Sequence, residues 1–130
     1  MKRDKAALVQ AWLKRSAKDI GAAKLLSNHD EQTETALFHL QQSVEKSLKS
    51  YLIWKEASFP HIHDIECLLD MVVKLDATFE QWERLGDISI FAVVGRYPES
   101  DDWIGDCHPH DWLDDVQALY WFVYEKVEER

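Results

Sequence analysis

The chain has 130 residues with 24 acidic and 15 basic side chains, a net charge of −9, and 46% hydrophobic residues. That length and apolar content suit one domain with a real core and exclude an intrinsically disordered chain. Glycine and proline together number seven, far below the roughly 12% of average usage, so long helices are expected.

The first 59 residues contain no proline and a single glycine, Gly21, and so can hold two long helices joined by a polar loop. In the first, Val9, Trp12, Leu13, Ser16, Ala17, Ile20 and Ala23 recur at steps of three and four and form one buried stripe. The polar cluster 27–31 ends that helix. Thr33 or Thr35 is the expected cap of the second, which runs to about Lys55 with Leu37, Leu40, Val44, Leu48, Tyr51 and Leu52 on one face. Residues 57–63 include Pro60 and read as a loop, after which Asp64 stands where a helix N-cap belongs, ahead of Leu68, Leu69 and Val72. Thr78 and Gln81 fit a capping box that opens a fourth helical segment through Trp82 and Leu85, interrupted at Gly86 and resuming to Val94. Residues 95–109 read as a long loop with two of the three prolines. A final helix follows, with Trp112, Val116, Leu119, Tyr120, Val123 and Val127 toward the core and Trp121, Phe122 and Tyr124 beyond that stripe. Such a surplus of apolar side chains predicts a self-association surface and a homodimer.

Charge is split between the halves. Residues 1–65 carry +2 and residues 66–130 carry −11, so a phosphate-bearing ligand is expected to favour the first half, and non-specific nucleic-acid coating is disfavoured. The apolar stretch behind the basic start, Ala6 to Val9, is too short for a signal peptide, and the longest apolar run, residues 118–124, is too short to span a membrane. Cys67 and Cys107 form neither a metal-type pair nor a disulfide framework, which predicts a cytoplasmic protein.

Four side chains of the second helix, His39, Gln42, Lys46 and Lys49, follow at steps of three, four and three and define a narrow polar stripe opposite the apolar face. Two ammonium groups there could hold phosphate oxygens; the alternative is a solvated helix face. Arg96 leaves the fourth segment beside Pro98, where helix capping would also account for it. Cys107, His108 and His110 are weak candidates for metal ligands, because their spacing matches no established zinc pattern, and the expectation is no metal and no cofactor.

The run Phe38-His39-Leu40-Gln41-Gln42-Ser43-Val44-Glu45-Lys46-Ser47-Leu48-Lys49-Ser50-Tyr51-Leu52-Ile53, the His63-Asp64 start before Leu68-Leu69, and Arg96-Tyr97-Pro98 resemble the HEPN (higher eukaryotes and prokaryotes nucleotide-binding) family. The opening around Trp12-Leu13-Lys14-Arg15 fits as well. The resemblance implies an all-α, up-and-down bundle of about five helices filling residues 1–130 as a single domain. It also implies dimerisation, and pairing with a nucleotidyltransferase in a two-gene, toxin–antitoxin-like arrangement. His39, Gln42, Lys46, Lys49 and Arg96 then become nucleotide-binding candidates in a module that performs no chemistry. Many members are metal-independent ribonucleases in which four to six residues intervene between an Arg and the His that follows it. After Arg96 those positions are Asp101, Asp102 and Trp103, so the motif is not intact, and an RNA-cleaving alternative would need a displaced His108.

Overall fold

The computed structural model describes residues 2–92, 98–100 and 106–128. It is an all-α bundle, and among the described residues there is no strand. The α-helices are α1 (Lys2–Leu26), α2 (Thr33–Trp54), α3 (Ile65–Leu75) and α4 (His110–Glu128), with a run of 3₁₀ turns, Ala77–Ala92, between α3 and α4.

α1 and α2 form an antiparallel hairpin. Partners on α2 fall in number as those on α1 rise, from Lys5 with Trp54, through Val9 with Ser50 and Ser16 with Ser47 and Ser43, to Asp19 with His39. The seam is made of small hydroxylated residues. Ser16 donates to the Ser43 carbonyl at 2.9 Å and lies 2.7 Å and 2.8 Å from the Ser43 and Ser47 hydroxyls, while Ser50 donates to the Val9 carbonyl. Each buried hydroxyl thus has a partner, which removes the cost of desolvating it.

α2 is the central helix, and thirteen of its residues are buried. It packs against α1, α3, α4 and the 3₁₀ segment. Its apolar face contributes Leu37, Leu40, Val44, Leu48, Tyr51 and Leu52 to the core, as the periodicity predicts. α1 adds Val9, Leu13, Ile20 and Ala23, with Trp12 and Ala17 half-buried at the stripe's edge. One end of the core is aromatic: the Tyr51 and Phe79 rings lie 4.6 Å apart, and Phe122 meets Phe79 edge-on at 5.0 Å and Trp82 at 5.8 Å. Phe122 is therefore a core-packing residue rather than part of an outward surplus.

The helix ends differ in detail from expectation. Asp64 caps α3 as predicted, accepting from the Glu66 and Cys67 amides. Neither Thr33 nor Thr35 caps α2. Thr33 is already helical and donates to the Asp30 carbonyl, continuing a 3₁₀ turn over Asp30–Gln32 that leads straight into the helix. At the fourth segment, Asp76 accepts from the Thr78 amide in place of a Thr78–Gln81 box, and Gln81 donates to the Thr78 carbonyl. The 3₁₀ run passes the buried Gly86 without a break, and a Cβ there would make only ordinary contact, 3.5 Å, with Glu66. Val93, Val94 and Arg96 lie outside the described residues.

Candidate functional site

α1 and α2 diverge enough on one flank to leave a cleft of about 460 Å³, closed at one side by the loop before α3. α1 supplies Leu8, Ala11, Trp12 and Arg15; α2 supplies Gln42, Glu45, Lys46 and Lys49; the loop supplies His63. The volume lies in the range of small-molecule sites.

Two carboxylates organise its polar groups. Glu45 is nearly sealed from solvent, with its side chain 5% exposed, and it accepts from Lys49 one turn along α2 at 3.0 Å. The same carboxylate accepts from Gln41 at 3.3 Å and meets Nδ1 of His63 at 3.0 Å and 3.1 Å through its two oxygens. Gln41 also donates to the His63 carbonyl, so both the ring and the backbone of His63 are tied to α2. The second carboxylate, Asp19 of α1, receives Lys46 at 2.7 Å and Nδ1 of His39 at 2.9 Å. Each centre is a carboxylate gripping one ammonium and one imidazole, a charge-assisted arrangement that fixes all three side chains.

Of the five residues expected to meet a nucleotide, the structure brings three, Gln42, Lys46 and Lys49, into the cleft wall. His39 joins them only through Asp19, and Arg96 lies outside the described residues. The stripe does not stand opposite the core on an open face. Lys49 is buried beside Glu45, with its ammonium 5.8 Å from the Trp12 ring centre. The reason is that α2 is covered on both sides, so its polar stripe is satisfied by acidic partners from α1 and from α2 itself. Both lysines are therefore already neutralised. Arg15 is exposed and, among the described residues, has no ion-pair partner.

Sequence reasoning missed Asp19, Glu45, Trp12 and Arg15 as members of the site. The four-residue spacing of Glu45 and Lys49 could have flagged the first pair, since such residues meet on a helix. Asp19 carried no local signal, because its partners are 20 and 27 residues away. His63 stood out in the sequence only beside Asp64, in the α3 start that resembles the HEPN family.

His108 and His110 are exposed at the start of α4, and neither they nor Cys107 lines the cleft. Burial, with the charges of Asp106 and Asp111, pushes the Cys107 thiol up, which makes it a poorer nucleophile. Among the described residues no group of three or more His, Cys, Asp or Glu side chains is placed to hold a metal ion. In the same set no helix is long and apolar enough to cross a membrane, and Cys67 and Cys107 are not bridged.

No curated protein and no solved structure matches the chain. The family model for the HEPN domain matches residues 9–126, which takes in all of α2 and α3, most of α1 and α4, and every residue that lines the cleft except Leu8. On that match the chain belongs to the HEPN domain family.

Proposed function

We propose that this protein is a non-catalytic nucleotide-binding module whose site is the α1–α2 cleft, and that it works in the cytoplasm as a homodimer beside a nucleotidyltransferase-type partner. The observation that carries the reading is the combination at the cleft mouth of an unpaired guanidinium, Arg15, with the half-buried Trp12 ring and the Gln42 amide. A guanidinium suits phosphate oxygens, an indole offers a stacking face to a base, and a primary amide matches polar edges of base or sugar.

Within this reading the lysines act at one remove. Lys46 and Lys49 hold Asp19 and Glu45, and so keep the cleft walls in place, while Arg15 supplies the net positive charge. Titration calorimetry with nucleoside phosphates tests the proposal. Binding in the micromolar to millimolar range is expected, weakened by added salt and reduced roughly tenfold in Arg15→Ala, the order of one charge-assisted hydrogen bond. Affinity unchanged in Arg15→Ala places the ligand elsewhere. Asp101, Asp102 and Trp103 stand where the family's ribonucleases carry their histidine, so purified protein is expected to leave RNA intact in the presence of a chelator.

A further inference from the structure

The Glu45–His63 contact fixes more than a side-chain position. Glu45 receives Lys49 and Gln41 as donors, and an ionised carboxylate can only accept. The ring nitrogen that faces both of its oxygens, Nδ1 of His63, must therefore be the protonated one. In the neutral imidazole this leaves Nε2 as a bare lone pair. That lone pair belongs to a side chain 73% exposed, standing at the rim of the cleft. Such a group repels phosphate oxygens and attracts a hydroxyl. The cleft thus has donors in Arg15 and in the Gln42 N–H that is not given to Gln41, and a nitrogen acceptor at its loop edge, His63.

We propose that His63 Nε2 accepts a hydrogen bond from a sugar hydroxyl of the bound nucleotide, so that the cleft selects ribonucleotides over their deoxy forms. The inference rests on the nucleotide reading above and deepens it. A volume near 460 Å³ suits a single nucleotide. Ribose differs from deoxyribose by a group that can donate to a lone pair, and this is the feature that lets a protein tell the two apart. Glu45 is a positioning residue: it sets which nitrogen of His63 carries the proton and touches no ligand itself.

The experiment is calorimetry at pH 8 with the adenosine, guanosine, cytidine and uridine 5′-monophosphates and their 2′-deoxy and 3′-deoxy forms. For at least one base, removing one of the two hydroxyls is expected to weaken binding about 3- to 10-fold, the size of one neutral hydrogen bond. In His63→Phe, where Glu45 keeps Lys49 and Gln41 as donors, the ratio of ribo to deoxy affinity is expected to fall to one, whatever the absolute affinities. Arg15→Ala is expected to weaken ribo and deoxy forms by the same factor. Equal affinity for all forms in the wild type, or a preference that survives in His63→Phe, overturns the assignment of His63 and leaves nucleotide binding standing. No binding by any probe overturns the nucleotide reading, and this inference with it.

Discussion

Glu45 and Lys49 stand one turn apart on α2 and meet at 3.0 Å with both side chains less than a tenth exposed. Removing two charges from water is expensive, and the pair persists because Gln41 and His63 satisfy the remaining carboxylate positions. Lys49→Ala strands a buried carboxylate and is expected to cost about 3–5 kcal/mol. The double replacement Glu45→Leu with Lys49→Met should recover most of that loss, because no unpaired charge remains. Urea unfolding of the two variants distinguishes these outcomes; equal losses would contradict the argument.

The turn after α2 is closed by a Schellman pair, Ala57 donating to the Leu52 carbonyl and Glu56 to that of Ile53. Glu56 takes a positive φ of 58° to do so. A non-glycine residue there costs roughly 1–2 kcal/mol, part of which glycine gives back through its greater freedom when unfolded. The exposed Lys5–Glu56 ion pair, at 3.3 Å, adds little. Glu56→Gly is therefore expected to stabilise the protein by about 0.5–1 kcal/mol, a rise of a few degrees in Tm by calorimetry. An unchanged or lower Tm would contradict it.

Burial pushes the Asp76 carboxyl up, but hydrogen bonds from Thr78, Lys126 and Tyr51 outweigh it and hold the group well below the usual carboxylate range. A depressed value stabilises the fold above the unfolded carboxylate value, near 3.9, and that stability is lost as pH falls from there. Asp76→Asn should lower Tm at pH 7 and leave a shallower fall in Tm between about pH 4 and 2. Parallel curves for variant and wild type would show that Asp76 does not shape the acid limb.

Trp121 is half exposed on α4, with the rings of Tyr120 and Tyr124 at 5.1 Å and 5.3 Å. We propose the exposed Trp121, backed by these partly buried rings, as the contact area of a homodimer. Light scattering is expected to give twice the 15.2 kDa chain mass at micromolar concentration, falling to the monomer in Trp121→Glu. A monomer in both would refute dimerisation through α4.

The repeating parts of the fold were legible in the sequence and the long-range parts were not. Leu37, Leu40, Val44 and Leu48 declare a helix face by spacing alone, and Asp64 declares a cap by standing ahead of one. Phe122 does not declare its side, because seven successive apolar residues hide which part of the circumference is covered until Phe79 and Trp82 come to meet it. In the cleft Gln42, Lys46 and Lys49 were readable from the spacing on α2 and the rest was not. Asp19 meets Lys46 and Glu45 meets His63 only once the hairpin and the loop are folded, and those pairings decide which cation is left for a ligand.

The hydroxyl cluster of Ser16, Ser43 and Ser47 also bears on motion. A slip of α1 along α2 by a fraction of a turn would leave three buried hydroxyls without partners, each at about 1–3 kcal/mol, so the hairpin cannot creep smoothly along its seam. Any widening of the cleft is therefore expected at the wall that is not locked this way. That wall is the loop carrying His63, which is tied to α2 by the ring's contact with Glu45 and by its backbone carbonyl, which accepts from Gln41. The hairpin is then the fixed wall, and exchange of a ligand at the proposed site is expected to follow the opening of that short loop.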